Sequence, residues 1–121
     1  MIGIGIDVVD IERFRTSLQR TPSMRDRLFT QVELDYVEPQ ADPVPSLAAR
    51  FAAREAVMKS LGLGLGAFGF HEVWVERAST GVPSLAFSGR AAELSADAGV
   101  VRWHLSLTHS DLVAAAYVVC E

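Results

Sequence analysis

Apolar and polar positions alternate with period two over residues 2–7, Ile-Gly-Ile-Gly-Ile-Asp. This predicts a strand with Ile2, Ile4 and Ile6 on one face and Gly3, Gly5 and Asp7 on the other. The glycine face leaves room for a close approach to the backbone. The period then changes, and Ile11, Phe14 and Leu18 recur at helical spacing, predicting an amphipathic helix over about 10–20. Thr30-Gln-Val-Glu33 has the form of a capping box opening a short helix to about residue 38. Pro39, Pro43 and Pro45 crowd one seven-residue stretch, which permits no helix interior. A longer helix is expected over 46–61, with Ser46 as N-cap and Gly62 as C-terminal stop. After the glycine-rich loop 62–66, a strand over 70–77 and another from the 79–83 turn to about residue 87 read as a hairpin. Residues 91–98 read as a short helix stopped by Gly99, and 102–108 and 112–119 as two strands joined around 109–111.

Composition narrows this α+β pattern to a single domain spanning 1–121. With 121 residues, 50% hydrophobic and 21% charged, the chain can fill one core, and no repeat, low-complexity tract or linker divides it. Its longest apolar run, residues 112–120, is far below the roughly 20 residues of a membrane-spanning helix. No membrane partner is expected. The first positive side chain, Arg13, follows a strand-like opening rather than preceding an apolar one, unlike a secretory signal, so a cytoplasmic location is expected. The one cysteine, Cys120, cannot close an intrachain disulfide.

A net charge of −4 argues against a general nucleic-acid binder. Its distribution says more, because eight of the eleven basic residues fall in the first sixty positions. Over residues 10–27, five arginines (13, 15, 20, 25 and 27) stand against Asp10, Glu12 and Asp26, a local excess of two positive charges. Such a patch suits docking of a small acidic partner, and a solvated helix face is the other reading.

Plotted at 100° per residue, the 46–61 helix has Leu47, Phe51, Met58 and Leu61 on one stripe with Arg54 in its middle. Arg50, Glu55 and Lys59 flank the stripe, while Ala48, Ala49, Ala52, Ala53 and Ala56 cover the opposite arc. Three cations and a carboxylate on or beside a face that should be apolar suit a polyanion with a metal. An ordinary Glu55–Lys59 ion pair at i,i+4 would also explain two of them. Asp7, at a strand-to-helix junction, is placed either to cap the helix or, with Glu55, to supply the carboxylate pair that Mg²⁺ prefers. His109 sits at a turn beside Ser110 and Asp111, as a local hydrogen-bonding residue or a phosphate contact. The three histidines occupy separate segments, which disfavours zinc, and adjacent residues 109–111 make a poor nucleophilic triad.

Several motifs together resemble one family in order and spacing: Gly3-Ile-Gly-Ile-Asp7, Arg27-Leu-Phe-Thr-Gln-Val-Glu33, Phe51-Ala-Ala-Arg-Glu-Ala-Val-Met-Lys59 with Gly62 after it, Gly81-Val-Pro83, and Leu105-Ser-Leu-Thr-His109 followed by three alanines. The chain is similar to the holo-acyl-carrier-protein synthases, the small class of 4'-phosphopantetheinyl transferases. The resemblance implies an α+β fold with a small antiparallel sheet packed on a long central helix, assembled as a homotrimer with active sites at subunit interfaces. It also implies Mg²⁺-dependent transfer of the phosphopantetheine arm of coenzyme A to a serine of an acyl carrier protein, releasing adenosine 3',5'-bisphosphate. By resemblance, Asp7 and Glu55 are the metal carboxylates and, with Lys59 near the bridging phosphate oxygen, the catalytic set. Arg50, Arg54, Gly62, Pro83 and His109 match positions near coenzyme A, and Arg13 and Arg20 match the surface that meets the carrier. Arg54 stands where the family usually has lysine, which keeps the charge and changes its geometry. Val9 stands where larger transferases place an additional metal carboxylate, so water must complete the metal shell.

Two rival readings remain at this stage. Gly5-Ile-Asp7 on a first strand also opens RNase-H-like nucleases and hydrolases, although there a hairpin follows the aspartate and here the pattern turns helical by residue 10. A noncatalytic carrier- or coenzyme-A-binding module is the other.

Overall fold

The computed structural model describes residues 2–121. Strand β1 (Gly3–Asp10) runs directly into helix α1 (Ile11–Arg20), followed by α2 (Met24–Leu28), α3 (Gln31–Val37) and the long α4 (Val44–Ser60). A 3-10 turn (Phe70–Glu72) then leads into β2 (Val73–Arg77), β3 (Pro83–Phe87), α5 (Gly89–Asp97), β4 (Trp103–His109) and β5 (Val113–Cys120). The fold is α+β, with two antiparallel sheets: a three-stranded one in the order β1-β5-β4, which pairs the two ends of the chain, and the β2-β3 hairpin.

Small residues on two elements explain how α4 becomes central. A Cβ at Gly5 would lie 1.9 Å from the carbonyl oxygen of Ala56, and one at Gly3 would lie 1.9 Å from that of Ser60. The glycine face of β1 therefore rests against the backbone of α4, an approach only glycine allows. The alanine arc is the complementary surface. Ala52, Ala53 and Ala56 are buried in one core cluster with Ala116 and Val118 of β5, and Ala48 and Ala49 in a second with Ala114. The second cluster extends through Ile11, Phe14, Phe29 and Leu47, with the rings of Phe14 and Phe51 5.4 Å apart.

The opposite face of β1 is not covered within the chain. Ile4 and Ile6 are 52% and 57% exposed, joined by Ile2, Val8 and the cross-strand neighbour of Ile6, Tyr117. A row of this kind marks an interaction face.

Several boundaries differ from the sequence expectation. Helix α4 begins at Val44 rather than Ser46, with Pro43 as N-cap and Pro45 in the first turn, where the missing N–H has no intrahelical acceptor to lose. Ser46 instead donates to Gln40 Oε1 at 2.9 Å. Residues 70–72 form the 3-10 turn rather than strand, and α2 had no counterpart in the periodicity. The capping box at Thr30 and Glu33 is present in both directions. Gly62 ends α4 region with φ of +70°, and its N–H donates to the Lys59 carbonyl at 3.0 Å.

Candidate active site

The close packing of β1 on α4 carries Asp7, which follows Gly3 and Gly5 on the same face, to the C-terminal half of the helix. Lys59 Nζ donates to Asp7 Oδ1 and to the Ile6 carbonyl, each at 3.0 Å. The Asp7 side chain is only 18% exposed, whereas that of Lys59 is 55% exposed. The ion pair of Lys59 is thus with Asp7 across 52 residues, not with Glu55 one turn before it on α4. Asp7 does not cap the helix either: Asp10 does, accepting from the Arg13 N–H at 2.9 Å.

Glu55 lines the same open cleft as Asp7, about 370 Å³ in volume, with Asp10 and Arg13 at its rim and Phe14 and Phe51 as apolar walls. Burial holds the Glu55 carboxyl above the ordinary glutamate range, the charge of Asp7 pushes it further up, and Lys59 offsets part of this. Asp7 and Glu55 therefore face one partly dehydrated cleft with Asp10 at its rim, and the Lys59 ammonium is held against Asp7. No group of three or more His, Cys, Asp and Glu side chains that could hold a metal gathers among the described residues. A second surface cleft adjoins it, sharing Arg13 and Ser17 and reaching Arg20. Arg13 and Arg20 are exposed and form no salt bridge among the described residues, whereas Arg15 is engaged by both oxygens of Asp42 at 2.7 and 2.9 Å.

A smaller pocket of about 70 Å³ gathers Arg50 from α4 with His109, Thr108, Ser46 and Arg77. Arg50 is fully buried, yet among the described residues its only side-chain hydrogen bond runs from Nη1 to the Ser46 carbonyl at 3.2 Å, and Nε has no partner. Burial pulls its proton affinity down. A buried cation without a carboxylate beside it needs an anion from outside. His71 Nε2 lies 2.6 Å from the Asp26 carbonyl oxygen and His104 Nε2 2.9 Å from Glu121 Oε1, while the His109 side chain has no hydrogen bond among the described residues. The hydroxyl of Ser110 accepts from the Leu112 and Val113 N–H groups as a turn, not as a nucleophile.

One site expectation is overturned. Arg54 was expected beside coenzyme A but is fully buried against Glu33, the N3 residue of the capping box, also fully buried. Its Nη1 and Nη2 donate to the two Glu33 oxygens, Nη1 also to the Arg50 carbonyl, and Nε to the Phe70 carbonyl at 2.8 Å. A side chain so enclosed is a core strut, not a ligand contact. The signal was present in the sequence, since a cation in the middle of an apolar stripe needs a buried counter-ion. Gly62 and Pro83, at the end of α4 and the start of β3, line neither the Asp7–Glu55 cleft nor the Arg50–His109 pocket. Arg77 lines that pocket and Tyr36 stacks on Arg50 and Arg77, and neither lies in a segment whose spacing carries a signal.

Residues 3–118 match the family model described as the 4'-phosphopantetheinyl transferase superfamily. A holo-[acyl-carrier-protein] synthase of Streptomyces avermitilis is 49% identical over 122 residues, covering 100% of this chain and 98% of that one. Among solved structures, the holo-[acyl-carrier-protein] synthase of Neisseria meningitidis superposes with a TM-score of 0.91 at 29% identity, covering 100% and 98% of the two chains. The Bacillus anthracis holo-(acyl-carrier-protein) synthase in complex with CoA (3',5'-ADP) gives 0.81 at 30% identity, covering 98% and 95%.

Proposed function

The chain belongs to the 4'-phosphopantetheinyl transferase superfamily, and from that premise we propose the reaction and the residues that perform it. The protein is a holo-[acyl-carrier-protein] synthase: as one domain over 1–121, it transfers the 4'-phosphopantetheine arm of coenzyme A to a serine of an apo acyl carrier protein, releasing adenosine 3',5'-bisphosphate. The observation that supports these roles best is the meeting of Asp7 and Glu55 at one cleft, with Lys59 held against Asp7. A nuclease of the RNase-H type is disfavoured, since α1 follows β1 with no hairpin between.

Phosphoryl transfer asks a protein mainly for positioning and for cations against developing charge. The donor set fits Mg²⁺, which takes one or two carboxylates and completes its shell with water and phosphate oxygens. Asp7 and Glu55 would hold it, and their mutual repulsion in a half-buried site is what a cation relieves. When bound, Mg²⁺ supplies positive charge against the pyrophosphate of coenzyme A. Glu55, on the side of the cleft that the serine enters, accepts the proton of the attacking serine. Lys59, oriented by Asp7 and the Ile6 carbonyl, faces the leaving phosphate oxygen. Arg50 and His109 bind a phosphate of coenzyme A, with Gly62 and Pro83 bordering the ligand.

Arg13 and Arg20, exposed beside the cleft, dock the acidic carrier and guide its serine inward. The exposed isoleucine row of β1 is the surface for a second and third copy of the chain, which supports a homotrimer with active sites shared between neighbours. No described helix is long and apolar enough to cross a membrane, and the lone buried thiol of Cys120 accords with a reducing cytoplasmic compartment. Chromatography of the small-molecule products tests the reaction. Adenosine 3',5'-bisphosphate is expected to accumulate only when apo-carrier and coenzyme A are both supplied, and release with a carrier whose serine is replaced by alanine would overturn the assignment.

A further inference from the structure

The cleft that holds Arg13 and Arg20 also holds a charge that an acidic partner should reject. Glu12 lines it together with Arg13, Thr16, Ser17 and Arg20, and among the described residues no other carboxylate does. A carboxylate placed there repels an acidic partner and competes with it for the arginines. The Glu12 side chain is 70% exposed, yet it is engaged: Arg15, one turn further along α1, donates from Nε to Glu12 Oε1 at 3.2 Å. Arg15 does not itself line the cleft. The rest of its guanidinium is taken by Asp42, Nη1 donating to Oδ1 at 2.9 Å and Nη2 to Oδ2 at 2.7 Å, so that the planar fork matches both carboxylate oxygens. An i,i+3 ion pair on an exposed helix is weak by itself, because two long side chains must be held in one geometry. Here the ordering comes from outside the helix. Asp42 lies in the segment that contains Pro39, Pro43 and Pro45, whose backbone dihedrals are restricted. Its Oδ1 also accepts from the Val44 N–H at 3.2 Å, at the start of α4. The hydrogen bonds from Arg15 hold the Asp42 carboxyl below its ordinary range, so the anchor stays charged at neutral pH.

Resting on the reading of Arg13 and Arg20 as the carrier-docking surface, we propose that Arg15 is a positioning residue for carrier recognition: anchored by Asp42, it holds and screens Glu12, so that Arg13 and Arg20 are left to the acidic carrier. Arg15 acts through Glu12 and touches neither the carrier nor coenzyme A. Asp42 acts one step further back, by fixing Arg15 from the segment before α4.

The test is steady-state kinetics of the full-length enzyme with apo-carrier, coenzyme A and Mg²⁺, giving a separate KM for each substrate. Arg15→Gln is expected to raise the carrier KM about fivefold, the scale of one exposed charge pair, with the coenzyme A KM unchanged. Glu12→Gln added to Arg15→Gln is expected to restore the wild-type carrier KM, since the carboxylate that needed screening is gone. Asp42→Asn separates positioning from charge. It removes a negative charge from beside the basic patch, which plain attraction would turn into a lower carrier KM, whereas loss of the anchor raises that KM about twofold. An unchanged carrier KM in Arg15→Gln, a rise shared equally by both substrates, a rise that Glu12→Gln does not restore, or a lowered carrier KM in Asp42→Asn would overturn the proposal. An unchanged carrier KM in Arg13→Ala and Arg20→Ala would instead refute the docking reading, and a wild-type enzyme that modifies no carrier would refute the transferase reading.

Discussion

Replacing Arg54 with methionine keeps most of the side-chain volume and deletes the charge from a pair in which both side chains are fully buried. Glu33 then keeps the Thr30 N–H at 3.0 Å and the Val75 N–H at 3.1 Å but has no cation, and the Phe70 carbonyl loses its 2.8 Å donor. Breaking a buried pair from one side costs about 3–5 kcal/mol, and an orphaned carbonyl adds roughly 1 kcal/mol. Against the 5–15 kcal/mol that roughly bounds a domain of this kind, a loss of ~4 kcal/mol leaves the fold marginal. Glu33→Gln keeps an acceptor oxygen but strands Arg54, and should cost ~3 kcal/mol. The double variant leaves no unpaired charge, so its cost should fall short of the sum by ~2 kcal/mol or more. Arg54→Lys should cost less than Arg54→Met, yet one ammonium cannot serve both Glu33 oxygens and two carbonyls together. Guanidinium denaturation at pH 7 and fixed protein concentration measures all four. An Arg54→Met cost under ~1 kcal/mol, or strict additivity in the double variant, would refute the reasoning.

Three further outcomes follow from the same geometry. Gly5→Ala places a Cβ 1.9 Å from a backbone oxygen that cannot rotate away, and should cost ~3 kcal/mol by forcing β1 off α4, read as a lowered melting temperature. Glu55, with its proton affinity raised by burial and then by Asp7, binds more protons folded than unfolded between the ordinary value of 4.5 and its raised one. Metal-free stability should therefore decline as pH rises through that window, while Glu55→Gln removes the decline and lowers kcat by ~100-fold or more; carboxyl-carbon NMR of Glu55 should place its midpoint above 4.5. Ile6→Asp, in the exposed row of β1, should dissociate the assembly in sedimentation velocity at micromolar concentration, and an unchanged sedimentation coefficient would count against that surface as the subunit contact.

Elements with a clean period were legible in the sequence. The alternation of residues 2–7, the helical spacing of Ile11, Phe14 and Leu18, the Thr30–Glu33 box and the 62–66 stop each found their counterpart. The five-residue α2 did not, because one turn and a half is too short to register a period. Proline hides the start of α4, because the prohibition that holds inside a helix lapses in its first turn. The rest was nonlocal. No spacing rule pairs the first strand with the last, and the alanine arc gained its meaning only when β1 laid its glycines against it. The same holds at the site: Asp7 meets Lys59 across 52 residues and Arg54 meets Glu33 across 21, so helical projection could show an odd cation but not whether its partner was substrate or core.

The most direct measurement is the intact mass of an apo acyl carrier protein after incubation with the purified enzyme, coenzyme A and Mg²⁺. A gain of about 340 Da, one phosphopantetheine by covalent bookkeeping, is predicted for the wild type, and no gain with Glu55→Gln or after chelation. An unchanged carrier mass while coenzyme A still binds would contradict the transferase account, and a full gain with Glu55→Gln would contradict the role given to the Asp7–Glu55 pair.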